Sequence, residues 1–218
     1  MTVLITAGAS REPIDAVRFL SNIGTGATGV ALAEALTARG HRVVVLRGMA
    51  SAVPGTAIES EGFSSAEDLH RRLQDRLARG DIDAVIMTAA VADYRPRIEA
   101  AGKMGSEAAA LTLSLVRNPK LLPLLKSYSP RPLAVAGFKL TVGADPAARR
   151  AAVAAQFGGG GVDLVVHNDL DEIRRGPIHP FWIYRTPQAR PVKAAGTAAL
   201  AVTLEKELID ANARCLHR

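Results

Sequence analysis

Residues 5–29 read ITAGASREPIDAVRFLSNIGTGATG, and how this stretch is parsed decides the fold. A β-branched apolar run, Thr2 to Thr6 (TVLIT), leads into it and reads as a buried strand. An alanine-rich segment from Gly26 to Arg39 leaves it with helical periodicity and stops at Gly40, a natural residue just past a helix end. Between them lies a literal G-x-G-x-x-G at Gly24, Gly26 and Gly29. Such glycines let a backbone turn tightly at a helix N-terminus, where free amides and the helix dipole favour an anion. They equally allow a helix to pack closely on a sheet, and the motif alone leaves both readings open.

Outward from this stretch the strand–helix rhythm continues. His41 to Leu46 (HRVVVL), Thr56 to Ser60, Asp83 to Met87 (DAVIM), Leu133 to Phe138 (LAVAGF) and Leu164 to His167 (LVVH) read as further strands. Ser64 with Glu67 forms a capping box before a helix carrying Leu69 and Leu73, and Asp145–Pro146 is an N-cap and first-turn pair. Alternation of this kind predicts an α/β, doubly wound, mostly parallel Rossmann-like sheet with right-handed crossovers. Leu111 to Val116 (LTLSLV) and Phe181 to Val192 break the rhythm. Segments 95–120 and 178–192 are therefore expected to form a small β flap or dimerisation lobe inside a single domain of residues 1–218. Gly158 to Gly161, four consecutive glycines, reads as a mobile loop, and the chain from Thr197 onward as a terminal helix.

The bulk properties narrow the function. The 218 residues suffice for one domain with a substantial core, and no apolar run is long enough to span a bilayer. The start, MTVLITAG, has no basic leader region. One cysteine, Cys215, excludes an intrachain disulfide framework and reads as a bystander near the terminus, consistent with a reducing cytoplasm. The net charge of +6 comes from scattered arginines, and aromatic residues are only 4%. That favours a small phosphorylated ligand over nucleic acid or a membrane.

A dinucleotide fingerprint sits directly after the first strand and is answered by a carboxylate ending the second. Here Gly24 follows Thr6 by 18 residues, and the second strand ends Leu46-Arg47-Gly48. Arg47 would suit a 2′-phosphate, which keeps an NADP-dependent reductase open as an alternative. A tyrosine with a lysine four residues on, as a short-chain reductase would use, is absent at Tyr94, Tyr128 and Tyr184. The long polar insertion carrying Arg11, Glu12, Asp15 and Arg18 at the C-terminal end of the first strand instead lies where open α/β sheets bind ligands.

This insertion closely resembles the phosphopantothenoylcysteine synthetase (phosphopantothenate–cysteine ligase) family, whose pattern runs T-A-G-G-T-R-E-P-I-D-x-V-R-x-I-S-N-x-S-S-G. Three more segments match in order. They are Thr88 to Pro96 (TAAVADYRP), Leu111 to Leu122 (LTLSLVRNPKLL) and Asp163 to Asp169 (DLVVHND). The resemblance spans nearly the whole chain. It implies a ligase that joins cysteine to 4′-phosphopantothenate through an acyl-nucleotide, with CTP favoured over ATP as co-substrate, and with Mg2+. It also implies a homodimer in which one subunit's lobe completes the other's site. With Met1 one residue before the first strand, a flavin-dependent decarboxylase is expected on a separate polypeptide and no flavin here.

By the same resemblance, Asn22 contacts the activated acyl group and Lys103 serves the second half-reaction while reaching the nucleotide. Ala89, Ala90, Asp93, Pro119, Lys120, Leu121, Leu122, Phe138 and Lys139 frame the nucleotide. Gly8, Ser10, Arg11, Asn22, Gly24, Thr25 and Gly26 hold the phosphorylated acid. No metal ligands are assigned. Lys139, in GFKL, resembles the stand-alone branch of the family. Three departures stand out. GTGATG replaces S-S-G-K/R-M-G, HND replaces A-N-D, and Gln156-Phe157-Gly158-Gly159-Gly160-Gly161 replaces the lysines that hold phosphates, for which Lys139, Arg149 or Arg150 would have to substitute. A non-catalytic or divergent phosphopantothenate-binding protein is the remaining alternative.

Overall fold

In the computed structural model of the chain, residues 1–55, 58–176 and 178–216 are described, without the side chains of 215 and 216. Strand β1 (Thr2–Ala7) is buried from Val3 to Ala7 and apolar there except for Thr6, because both of its faces are covered, as in buried parallel strands. Val3, Ile5 and Ala7 point to one layer of helices, Leu4 to the other. The insertion that follows is a hairpin, β2 (Arg11–Pro13) with β3 (Phe19–Ser21), which periodicity could not reveal in strands of three residues. Its turn is built on Asp15, whose carboxylate accepts from the amides of Val17 (2.9 Å) and Arg18 (2.7 Å).

Helix α1 (Ala27–Ala38) then leads to β4 (Arg42–Gly48), β5 (Glu59–Phe63), α2 (Ala66–Leu77) and β6 (Ala84–Met87). A small antiparallel pair, β7 (Tyr94–Pro96) with β8 (Leu115–Arg117), precedes a 3-10 turn, Leu122–Leu124, and α3 (Leu125–Tyr128). The chain continues through β9 (Ala134–Thr141), α4 (Pro146–Gly158), β10 (Leu164–Asp169) and α5 (Leu170–Arg174). It closes with β11 (Pro180–Tyr184), β12 (Val192–Ala195) and α6 (Gly196–Leu216).

The main sheet has eight strands in the order β12-β11-β10-β9-β6-β1-β4-β5, parallel from β5 through β10. Helices α1 and α6 cover one face, with Leu32, Leu36, Leu204 and Leu208 fully buried. Helices α2 and α3 cover the other through Leu69, Leu73, Leu77 and Leu125. The α/β, doubly wound, mostly parallel sheet is as the sequence led us to expect.

Local readings fared differently one by one. Asp145 caps α4 by accepting from the amides of Ala147 and Ala148, both at 2.8 Å, and Gly40 follows α1 with φ +86°. The capping pair of α2 lies one residue later than expected: Ser65 accepts from the Asp68 amide at 3.1 Å, and Asp68 accepts from the Ser64 amide at 2.9 Å. The strand expected over 56–60 is Glu59–Phe63, with residues 56 and 57 outside the described part, as are the side chain of Cys215 and the last two residues of the chain. Of the alternating run 111–116 only Leu115–Arg117 is strand. The segment 178–192 does not leave the sheet as a lobe. Strands β11 and β12 add antiparallel to its edge, where Phe181 and Ile183 enter the core against α6. Nor is the four-glycine run a slack loop. Gly161 has φ +75°, and a Cβ there would lie 2.7 Å from Pro123 Cα and 2.8 Å from its carbonyl oxygen. Glycine is needed because two backbones touch.

Candidate functional site

The chain passes from β1 to β4 on one side and later returns to β6 on the other, so the strand order reverses between β1 and β6. Open α/β sheets bind ligands in the crevice at such a point, beyond the carboxyl ends of the strands. Here the loops after β1 and β6 are zipped together. The Ala90 amide donates to the Gly8 carbonyl at 2.8 Å, the Thr88 hydroxyl to the Thr6 carbonyl at 2.6 Å, and Ala9 bridges Ala90. Ser10, fully buried, accepts from the Ala92 amide (3.0 Å) and donates to Glu12 (2.7 Å). Glu12, 1% exposed, also accepts from the Ala66 amide at 2.9 Å and so ties the crevice to the start of α2.

A cavity of about 430 Å3 opens on the β6 side. Nine expected nucleotide-framing residues line it: Ala89, Ala90, Asp93, Pro119, Lys120, Leu121, Leu122, Phe138 and Lys139. Asp93 and Lys120 form an exposed ion pair at 2.6 Å. Leu121 is 97% buried, so its side chain serves the core beside Leu125. The Phe138 ring likewise packs edge-on against Phe181, 6.3 Å between centroids, and its carbonyl accepts from Gln156 Nε2 at 3.3 Å. Lys139 is half-buried with no hydrogen-bond or ion-pair partner among the described residues, a cation held ready at the cavity wall. Gln156 and Gly159, named from the sequence only as part of the run that replaces phosphate-holding lysines, bring the end of α4 to the cavity. Asn118, next to Pro119 of the cavity wall, donates to the Ala92 carbonyl at 2.9 Å while accepting from Arg95 at 3.0 Å.

A smaller cavity, about 210 Å3, lies on the other side of the Ala9–Ala90 bridge. Arg11, Asn22 and Gly24 line it, with Ala50 and Ser51 from the loop after β4, which sequence reading missed. The Arg11 guanidinium stacks 4.4 Å from the centre of the Phe19 ring, which fixes it at the cavity. Gly8, Ser10, Thr25 and Gly26 stand behind this surface. Ser51, whose hydroxyl donates to the Gly48 carbonyl at 2.6 Å, fills the space that side chains at Gly8 and Gly26 would occupy. The Thr25 carbonyl accepts from the Ala52 amide at 2.9 Å. Asn22 sits on the seam between the two cavities. Its Nδ2 donates to the Ala90 carbonyl at 3.1 Å.

Other candidates lie elsewhere. Lys103 is exposed and lines neither cavity. Its neighbour Met104 is anchored by its amide to Asp15 (3.1 Å) and by its carbonyl to Arg18 (3.4 Å). Amide hydrogen bonds, that of Val17 first, hold the Asp15 carboxyl below its ordinary range. Arg149 and Arg150, offered as substitutes for the missing phosphate-holding lysines, border a third cavity with no wall in common with the first. Arg47 is turned to Ser60, 3.4 Å away.

His167, in the HND segment, is fully buried beside Lys139 in the β9–β10 pairing. The Thr141 hydroxyl donates to Asp169 at 2.6 Å, so His167 must donate to Thr141 through Nε2, at 2.8 Å. Its Nδ1 has no partner among the described residues. Burial pushes the imidazole down to about 4, with Arg149 adding to the effect. Burial alone would raise Asp169. Hydrogen bonds from Thr141 and from the amides of Ala144, Gly143 and Asp171 outweigh it and hold that carboxyl well below its ordinary range.

Among the described residues no helix is long and apolar enough to cross a membrane, and no three His, Cys, Asp or Glu side chains cluster as metal ligands. The coenzyme A biosynthesis bifunctional protein CoaBC of Thermococcus kodakarensis is 34% identical over 168 residues, covering 77% of this chain and 41% of that protein. The chain thus spans about two-fifths of that relative's length. The structure of the DNA/pantothenate metabolism flavoprotein from Streptococcus pneumoniae superposes with a TM-score of 0.85 at 22% identity, over 96% of this chain and 99% of that one. A Cab2 variant solved in complex with phosphopantothenate-cysteine superposes at 0.76 with 18% identity, over 99% and 87%. Both share the fold. Residues 1–177, which hold both crevice cavities, match the family model described as the DNA/pantothenate metabolism flavoprotein C-terminal domain, and the chain belongs to that family.

Proposed function

We propose that this chain is a phosphopantothenate–cysteine ligase that works through an acyl-nucleotide, with CTP as the favoured co-substrate. The position of Asn22 carries the reading: its amide bonds Ala90 at 3.1 Å on the seam between the nucleotide-framing cavity and the Arg11 cavity. A carboxylate is a poor acyl donor because oxide is a poor leaving group. In the proposed sequence a substrate carboxylate oxygen attacks the α-phosphorus of the nucleotide and expels pyrophosphate. The cysteine amine then attacks the acyl carbon, losing a proton, and the nucleoside monophosphate leaves. Both reacting centres would meet at the seam, where the Asn22 amide can donate to one oxygen and accept from another group. The protein's contribution is positioning and charge stabilisation.

Arg11, Gly24 and the amides around Gly26 would hold the phosphate of the acid. Ala89, Ala90, Asp93, Pro119, Lys120, Leu122 and Lys139 would hold the nucleotide, with Lys139 standing in for the absent loop lysines. The donor set suits magnesium, which is bound mainly by phosphates and water with one or two carboxylates. Asp93 is the carboxylate of that wall, and the ion would neutralise triphosphate charge there. The lobe of β7, β8 and their loop exposes Tyr94, Ile98, Leu111, Leu113 and Leu115. A second copy covering it would carry Lys103 toward the partner's site, which would account for Lys103 lining neither cavity of its own chain. The Cab2 variant of the same fold solved in complex with phosphopantothenate-cysteine supports the substrate class.

The test is a mass-spectrometric assay of the purified protein with 4′-phosphopantothenate, cysteine and magnesium, with CTP and ATP in separate reactions. Phosphopantothenoylcysteine with CMP is the expected result, with pyrophosphate formed one-for-one. Product with ATP alone would reverse the nucleotide assignment. No product with either nucleotide, from folded protein, would overturn the ligase reading, and a monomer by light scattering would remove the role given to Lys103.

A further inference from the structure

The third cavity, about 590 Å3, lies between the first turns of α4 and the connection from β11 to β12. Its walls carry Arg149, Arg150 and Arg190 and no carboxylate; the remainder is mostly proline and alanine around Trp182 and Tyr184. Arg149 is committed, pairing with Glu172 at 3.0 Å and stacking 5.5 Å from the Trp182 ring centre. Arg150 and Arg190 have no carboxylate partner among the described residues. Both guanidiniums are exposed and line one concavity, where an anion between them would receive charge-assisted hydrogen bonds from each. The amides at the start of α4 cannot serve, because Asp145 already takes those of Ala147 and Ala148.

A second observation points to a ligand. Tyr184 is 95% buried and lines the cavity, and no hydrogen-bond partner for its hydroxyl occurs among the described residues, so that donor is open to whatever enters the cavity. Burial raises its pKa, so it remains a donor. The volume falls in the range of small-molecule pockets and far exceeds what one phosphate fills, and the proline-rich wall suits a ring.

We propose that this cavity is a second ligand site, separate from the crevice, for a small phosphorylated molecule of the nucleoside diphosphate class. Arg150, Arg190 and the Tyr184 hydroxyl would hold the phosphates. The site is independent of the ligase reading, and the two can fail separately. Trp182 pairs with His167, and His167 with Lys139, so the site lies two strand spacings, roughly 10 Å, from the crevice wall.

Trp182 is the only tryptophan in the chain, so its fluorescence reports on this cavity. The full-length protein is titrated with ADP, with adenosine as the uncharged control and excitation at the red edge of tryptophan absorption. A saturable change with ADP and none with adenosine is expected. Arg150→Ala and Arg190→Ala should each weaken the half-saturation by roughly tenfold, and Tyr184→Phe, which keeps the ring, by severalfold. Asp93→Asn should leave the titration unchanged, and Arg150→Ala and Arg190→Ala should leave amide-forming turnover unchanged. No saturable response at millimolar ADP, an equal response to adenosine, or a response indifferent to both arginine substitutions would overturn the proposal.

Discussion

Replacing Gly26 with alanine tests whether the glycines of the G-x-G-x-x-G stretch are there for close approach. Gly26 is the residue before α1, with φ 76° and ψ −2°. A left-handed conformation costs an L-residue about 1–2 kcal/mol. The added Cβ would also lie 2.7 Å from Ser51 Cβ, 3.0 Å from the Gly8 nitrogen and 3.3 Å from Gly8 Cα. Two of those atoms are backbone of the crevice loop and cannot swing away, and overpacking of this kind costs about 1–3 kcal/mol. The sum, about 3.5 kcal/mol in mid-range, lowers Tm by about 7–14 °C for a chain of this size. Gly40 supplies the reference, since it has φ +86° but nothing within 4 Å of a Cβ. Gly40→Ala therefore suffers only the backbone term, about 1 kcal/mol and a few degrees. Thermal unfolding followed by circular dichroism measures both. If Gly26→Ala costs no more than Gly40→Ala, the crowding of Gly26, Gly8 and Ser51 is not what demands glycine there.

Three further outcomes are expected. Glu12→Ala leaves the Ser10 hydroxyl and the Ala66 amide without their acceptor in a buried site and should cost about 2–4 kcal/mol in urea unfolding, whereas Glu12→Gln keeps an acceptor oxygen and should cost less; equal losses would refute the hydrogen-bond account. Asp93→Asn breaks an exposed pair with Lys120, so stability should move by less than about 1 kcal/mol while nucleotide-dependent turnover falls at least about tenfold. Unchanged turnover would remove Asp93 from the site. His167 is neutral in the folded chain down to about 4, against 6.5 for the ordinary side chain. Below pH 6.5 the unfolded chain binds a proton that the folded chain refuses, so stability present above 6.5 is lost as pH falls toward 4, by up to about 3 kcal/mol. Urea midpoints at neutral and acidic pH should show this loss in the natural protein and not in His167→Ala; an equal loss in both would assign it to other groups.

Much of the secondary structure and several residues of the candidate site are legible in the sequence. Runs such as VLI (residues 3–5) and AVIM (residues 84–87) are apolar because both faces of a parallel strand are covered, and Asp145–Pro146 and Gly40 mark helix ends through interactions spanning a few residues. The long match to a family pattern also picked out Arg11, Asn22 and Asp93, which line the two crevice cavities. Local signals failed where the deciding contact was distant. The hairpin after β1 was hidden because strands of three residues carry no period, and its Glu12 makes sense only beside Ala66, 54 residues away. The segment 178–192 alternates like a free flap, yet β11 finds its partner in β10 and its burial under α6.

What the sequence by itself determined was therefore the alternation of strands and helices and the polar insertion at the end of β1. The tertiary structure alone decided the strand order that reverses between β1 and β6, the zipping of Gly8–Ser10 to Ala90–Ala92, and the gathering of Arg150, Arg190 and Tyr184 around a cavity of their own. The division has a physical cause. Helix caps and apolar periods are set by neighbours along the chain, whereas strand order and site geometry depend on contacts such as Asn22 to Ala90, 68 residues apart, which form only when the two helix layers bury both faces of the sheet.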